Sequence, residues 1–330
     1  MPGWEWSNGW VPKPGIIALR PLKVGDILSA NFALLRVHWR AILPFTAVIA
    51  LVTQVAGLLI SASVKQPQNV PSPFTPSQNP NADLRKSLST LADSYPALGA
   101  VELISFIAGI LATAVTILIL SKAVIGRPAP LAEVWQSVRP RLAQVFGLSA
   151  IIALIMGGTI AVFFGPVFAA RSAGASDGAL AGLSLLMIPG CAIVLWLCVS
   201  LLMAAPALIL ERQGIRSALA RSFRLVRGSW WRVLGIMLLV TIMIVIAEGL
   251  ISVPFTMGAV FSQGLNPDTA TSTTYRILAA IGGTIGMTVT LPVVASSIAL
   301  LYLDQRIRRE SLDVSLAAAA GIPGYTHAEG

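Results

Sequence analysis

Charged residues are scarce in this chain, 11% of 330, where soluble domains carry about a quarter. So little charge cannot keep a globule of this size dispersed, which excludes a pair of soluble domains and favours one α-helical membrane domain. Histidine is scarcer still, with His38 and His327 the whole supply. That removes a His-Glu-x-x-His zinc site and leaves no partner for a nucleophilic serine, and no Gly-x-Ser-x-Gly elbow occurs. Phosphate-binding and dinucleotide-binding glycine loops are missing too. The 14 acidic residues are spread too thinly to hold a catalytic metal. Cys191 and Cys198 stand seven apart in one apolar stretch, too far apart on a helix for a disulfide, and are expected to be small buried hydrophobes. No catalytic constellation, cofactor or metal is expected, and a non-enzymatic role follows.

What the chain has instead is apolar length. Hydrophobic residues make up 55% of it, and the mean hydropathy is +0.80. A bilayer core needs about 20 apolar residues in a helix. Six stretches qualify: Ala41–Ala62, Ala97–Leu120, Val145–Phe168, Ala179–Leu202, Val233–Phe255 and Ile277–Leu303. The fourth runs on past Pro206 to Leu210, as one long tilted helix or one broken near that proline. The predicted fold is all-α, with six transmembrane helices in three hairpins. The opening, Met1–Leu22, lacks the apolar run of a cleavable signal peptide.

The net charge of +9 is distributed unevenly. Of the 23 lysines and arginines, only Lys65, Arg85, Lys86, Arg171 and Arg276 fall on one side of the six spans. The positive-inside bias makes the opposite side cytoplasmic, puts both termini there, and accounts for the basicity without nucleic acid. The expected layout is an N-terminal cytoplasmic segment (1–23), a membrane domain (24–316), an external Pro-rich loop within it (63–96) and a disordered tail (317–330). Asp83–Ala92 in the loop has the pattern of a short surface helix.

A unit repeats. Leu28, Phe32, Leu35 and Trp39 recur at the same spacing as Leu219, Phe223, Val226 and Trp230, with Arg36 matching Arg227. Spacings of four, three and four put each set on one helix face. Trp135, Val138, Leu142 and Val145 form a weaker third copy, interrupted by Pro140. Each hairpin is therefore expected to follow a cytoplasmic amphipathic helix lying in the interface, beginning near Val24, Leu131 and Ile215. Arg216, Arg221, Arg224, Arg227, Arg232 and Trp230 are the candidate contacts to membrane lipids, anionic ones included, or to a partner. Fixing the entry angle of the spans is the alternative role for these helices.

Three polar residues sit inside or near the spans: Glu248, Glu102 and Gln54. Intramembrane acids point to function, so an outward-facing polar cavity near Glu248 is the second reading, that of a transporter or channel. Gly282 and Gly286 form a Gly-x-x-x-Gly pair, a pattern that lets helices approach closely. Gly157-Gly158 and Pro189-Gly190 are further packing or kinking positions.

Three inner segments carry a family resemblance. Ile209-Leu210-Glu211-Arg212-Gln213-Gly214-Ile215-Arg216-Ser217-Ala218-Leu219-Ala220-Arg221-Ser222 with Arg227-Gly228-Ser229-Trp230-Trp231-Arg232, Leu301–Asp313, and Leu19–Leu28 resemble the glycerophosphoryl diester phosphodiesterase membrane domain. The resemblance implies six spans. It transfers no activity, because the soluble barrel with its catalytic histidines and metal-binding carboxylates is absent from this sequence. A membrane scaffold or lipid-associated module is the leading expectation, and a membrane partner of a lipid or glycerophosphodiester enzyme a further one.

Overall fold

The computed structural model describes residues 20–63, 104–124, 130–174, 176–263, 272–310 and 312. Among them the chain is helical, without strands. The helices are α1 (Val24–Ser63), α2 (Ile104–Val124), α3 (Leu131–Val138), α4 (Leu142–Ser172), α5 (Asp177–Ser184), α6 (Met187–Leu201), α7 (Ala204–Glu211), α8 (Ile215–Val226), α9 (Trp230–Gln263) and α10 (Thr273–Glu310). Glu102, the Pro-rich loop with its Asp83–Ala92 segment, and the C-terminal tail lie outside the described residues.

Six helical stretches are long and apolar enough to cross a membrane. The shortest, Ile104–Val124, has 21 residues, about 32 Å at 1.5 Å each, which matches a hydrocarbon core of about 30 Å. Large apolar side chains point outward along them, Leu154 at 75% exposure, Leu250 at 72% and Phe261 at 82%. A water-soluble bundle does not tolerate that surface, whereas lipid tails solvate it. The protein is a multi-pass membrane protein. Cys191 and Cys198 are free and also exposed, which corrects the expectation of burial: on an apolar helix in lipid, a small sulfur side chain loses nothing by facing out.

The fourth apolar stretch is three helices. It breaks at Leu185–Leu186 and again at Leu202–Met203. Each break lies three to four residues before a proline, Pro189 and Pro206. A proline removes one amide donor and its ring collides with the carbonyl four residues back, here Leu185 and Leu202. At the first break Leu185 and Leu186 donate to Gly182 and Leu183, the tighter i to i+3 pattern of a 3₁₀ turn.

Each repeated unit joins its short helix to its span differently. In α1 the helix runs on through a kink at His38 (φ −111°, ψ 20°). Between α3 and α4 a 3₁₀ turn occupies Arg139–Arg141, with Pro140 inside it. Between α8 and α9 the chain turns through Gly228 at φ 86°, a left-handed position where glycine avoids the Cβ penalty.

The residues form two compact units by contact: Met1–Ala41 with Thr113–Thr241 and Val293–Gly330, and Ile42–Ala112 with Ile242–Pro292. In the first, Leu22, Ile27, Leu34, Ile117, Leu120, Leu148, Met203 and Tyr302 are fully buried. Helix α4 packs on α6, and α8 on both α6 and α7. Lys122 pairs with Glu133 at 2.6 Å, tying α2 to α3. The buried face of α1 here is Ile27, Ala30, Asn31 and Leu34, and that of α8 is Ala218, Ser222, Leu225 and Val226. In the second unit Ile49, Ala108 and Ala112 form a core flanked by Phe45, Leu111 and Leu291. Thr46 there donates to the Thr288 carbonyl at 2.9 Å.

Helices α4 and α6 approach closely at Gly190, where an added Cβ would stand 2.6 Å from the Phe163 Cβ. Gly190→Ala is therefore expected to lower the thermal midpoint in detergent, by about 1–3 kcal/mol of overpacking. Gly157→Ala, where nothing lies within 4 Å, should leave it unchanged. Equal midpoints for both variants would contradict this packing.

Candidate anion-binding site

Helix α7 ends on Glu211, and Arg212 follows in the left-handed region at φ 55°. An arginine there costs about 1 kcal/mol, since its Cβ crowds the carbonyl. Arg141 donates to the Ile209 carbonyl at 3.2 Å, capping one of the orphan acceptors at that helix end. The turn leads into α8, whose first residues are held by side chains rather than by a cap at Gly214. Gln213 donates to Glu211 and accepts from Ser217, both at 2.6 Å.

Two carboxylates organise what surrounds α8. Glu211, largely buried, accepts from Arg221 Nε at 2.7 Å and from the Tyr302 hydroxyl, and Arg306 Nε lies 3.4 Å away. Arg221 reaches in turn to Glu310 at 2.6 Å, and Glu310 accepts from Arg306 at 2.9 Å. Burial works against the charge on Arg221. The hydrogen bonds to Glu211 and Glu310 and the Glu211 charge override it, so the guanidinium holds its proton more firmly than usual.

Asp304 is the second carboxylate and is fully buried. It accepts from the Leu22 amide at 2.8 Å, from Arg308 Nε at 3.0 Å and from Arg232. Arg232 and Arg308 also donate to the Leu22 carbonyl, at 2.8 and 3.2 Å. One carboxylate and two guanidiniums thus bind both backbone groups of Leu22, fixing the segment that enters α1 between the start of α9 and the end of α10.

The third element is a helix end. Arg309 donates to the carbonyls of Arg224 and Arg227, the last acceptors of α8, where a cation also meets the negative end of the helix dipole. Beside it opens a cleft of about 350 Å³ lined by Arg221, Arg224, Leu225, Arg227, Arg309 and Glu310. Arg221 and Arg309 are engaged as described. The side chains of Arg224 and Arg227 are exposed and make no ion pair or hydrogen bond among the described residues. Two planar guanidiniums without an ion pair among the described residues suit an acceptor that offers paired oxygens, such as phosphate or carboxylate.

A family model described as Domain of unknown function (DUF7847) matches residues 40–304. The chain belongs to that family. Within the DUF7847 match lie α8, Glu211, Arg232 and Asp304, while Leu22, Arg308, Arg309 and Glu310 fall outside it. No curated protein and no solved structure matches this chain. The family description names no activity.

The expected site residues separate accordingly. Arg221, Arg224 and Arg227 share the cleft. Arg216 is exposed on the first turn of α8 and does not line it. Arg232 belongs to the Asp304 clamp instead. Trp230 stands edge-on to Trp231, centroids 4.8 Å apart, with its indole N–H 3.5 Å from the Trp196 carbonyl. Glu248 and Gln54 are in the other compact unit. Glu248 accepts from the Thr290 hydroxyl at 3.3 Å. The glycines of α10 receive side chains there: Gly286 faces Glu248, Gly283 faces Gln54 and Gly282 faces Phe255. The spacing of Asp304 with Arg308 and of Arg306 with Glu310 shows only local i, i+4 contacts, whereas the structure carries both pairs across the fold. Arg309, Glu310, Glu211 and Tyr302 were not among the expected site residues. For Arg309, Glu310 and Tyr302 the signal was the density of charge in Leu301–Asp313.

Asp304→Asn should destabilise the protein by about 1–3 kcal/mol, because the buried acceptor of the Leu22 amide loses its charge while Arg232 and Arg308, each about a third exposed, keep access to solvent. Limited proteolysis should then cut before α1 sooner than in the parent. Unaltered cleavage and midpoint would show that the clamp holds nothing. Arg221→Gln is likewise expected to lower the thermal midpoint, while Arg224→Gln and Arg227→Gln should change it by less than about 0.5 kcal/mol. Equal losses in all three would remove the distinction between engaged and free arginines.

Proposed function

We propose that this protein is a non-enzymatic multi-pass protein of the cell membrane that binds anionic lipid headgroups through α8. The observation that carries the reading is the cleft in which Arg224 and Arg227 stand unpaired among the described residues, beside Arg221 and Arg309. A phosphate oxygen accepts two parallel N–H bonds from a guanidinium, so a headgroup can satisfy both free side chains. The neighbouring Trp230 and Trp231 suit the headgroup level, where an aromatic ring with a polar N–H is stable. Each basic residue near an anionic leaflet contributes about 1 kcal/mol. The basic ends of the spans face the cytoplasm in this reading, with both termini inside. The resemblance of Ile209–Ser222 to a membrane domain found with glycerophosphodiesterases agrees with a lipid phosphate as the contacted group, without importing catalysis.

A second reading rests on Glu248. About 16 residues separate it from Arg232, roughly 24 Å along α9, so it lies in the outer half of the bilayer. An acid there, hydrogen-bonded to Thr290 and seated against Gly286, is a candidate for a transport pathway. Flux in proteoliposomes that Glu248→Gln abolishes would favour that reading over the first.

The lipid reading is tested with the full chain in nanodiscs or gentle detergent. Native mass spectrometry of the parent should show retained anionic lipid, and the Arg224→Gln, Arg227→Gln double variant should retain several-fold less at an unchanged thermal midpoint. Equal retention by both proteins would reject the cleft as the site. Arg221 is left intact because it pairs with Glu211.

A further inference from the structure

We propose that the cleft at the end of α8 takes a phosphomonoester group, and that Glu310 is the carboxylate this group displaces. The inference rests on the reading of the cleft as an anion site and names its ligand class and its built-in competitor.

Three features of the cleft carry it. Among the described residues two guanidiniums, Arg224 and Arg227, are without a counter-ion, and the matching charge is a dianion. A phosphomonoester carries about −1.5 to −2 near pH 7, while a phosphodiester carries one negative charge. The number of forks is the second feature. Arg221, Arg224 and Arg227 all line the cleft, and a monoester presents three terminal oxygens to them where a diester presents two. The third is Glu310 itself. Its Oε2 takes the Arg221 Nη2 at 2.6 Å, offering this guanidinium the same acceptor chemistry as a phosphate oxygen. It is also bound by Arg306 at 2.9 Å and sits at the last turn of α10. When a phosphate takes the Arg221 Nη2, Glu310 keeps Arg306, and Arg221 keeps Glu211 through Nε. No charge is left unpaired by the exchange. Arg309 remains on the α8 carbonyls and acts as a positioning residue for the turn that carries Arg227.

The test uses the full chain in detergent with phosphatidic acid and phosphatidylglycerol at equal amounts and with the same acyl chains, and phosphatidylcholine as the neutral reference. Native mass spectrometry should show phosphatidic acid retained about two- to fivefold over phosphatidylglycerol, the size of one solvent-exposed charge pair. Glu310→Gln should raise phosphatidic acid retention by a similar factor. Equal retention of the two anionic lipids by the parent would overturn the phosphomonoester assignment and leave the lipid reading standing. Neither lipid exceeding phosphatidylcholine would overturn the lipid reading itself. A Glu310→Gln variant with an unchanged thermal midpoint and unchanged or lower retention would overturn the displacement step. If that variant loses stability, the comparison of the two lipids on the unaltered chain decides. Displacement of phosphatidic acid by soluble glycerol phosphate would support the chemistry with a dissolved ligand, and resistance to displacement would support it with the lipid.

Discussion

The first compact unit depends on the burial of two carboxylates, Asp304 and Glu211, in a protein that has few acids. A buried carboxylate is tolerated only when its lone pairs are filled and its charge is matched. Asp304 meets that condition by recruiting Arg232, Arg308 and the Leu22 amide, and Glu211 by recruiting Arg221, Tyr302 and Gln213. The contacts join residues far apart in sequence, from the entry of α1 to the end of α10. Apolar packing alone does not specify such an arrangement in lipid, because tails solvate leucine as well as another helix does. Charge pairing at the basic ends of the spans therefore sets which chain segments meet there, and the apolar faces are left free to meet lipid.

Those pairings also sort the arginines. Arg141 and Arg309 close the ends of α7 and α8, Arg221, Arg232, Arg306 and Arg308 serve the carboxylates, and of the arginines around α8 left without an ion pair among the described residues, Arg224 and Arg227 line the cleft while Arg212 and Arg216 do not. A basic cluster in which most members are engaged is more informative than a solvated charge run, since the free members are held in place by the rest. The α8 turn through Gly228 keeps Arg227 beside Arg309, and the arginine in the left-handed position at 212 directs the chain from Glu211 into α8. The cleft and the structural network are thus built from the same residues.

The six spans were legible because a run of about 20 apolar residues has no other stable use at this length. The broken fourth stretch was legible in outline, and its two breaks follow from Pro189 and Pro206. The repeat was legible in period, and in α1 its aromatic residues lie on the outward face. Phe32 and Trp39 are exposed, at 65% and 49%, while the stripe one position earlier, Ile27, Asn31 and Leu34, is buried. Its counterpart in α8 is Ala218, Ser222 and Leu225. Asn31 binds Ser296 and Ser297, and Ser222 donates to the Ser200 carbonyl, so equivalent positions stitch each helix to a neighbour. In a membrane the greasiest face meets lipid and the small or polar face meets protein, which inverts the rule that works in water. Sequence spacing shows local pairs such as Arg308 with Asp304, but not the partner 72 residues away at Arg232. The Gly282–Gly286 pair has the spacing that lets helices approach closely, and it receives the side chains of Phe255 and Glu248.

An experimental structure in nanodiscs containing anionic lipid tests the central claim most directly. The account requires a headgroup phosphate within hydrogen-bonding distance of Arg224 and Arg227, with Arg221 still on Glu211 and Arg232 still on Asp304. Phosphate density bound to Arg232 or Arg308 in place of Asp304, or an α8 cleft closed by protein side chains, would contradict it.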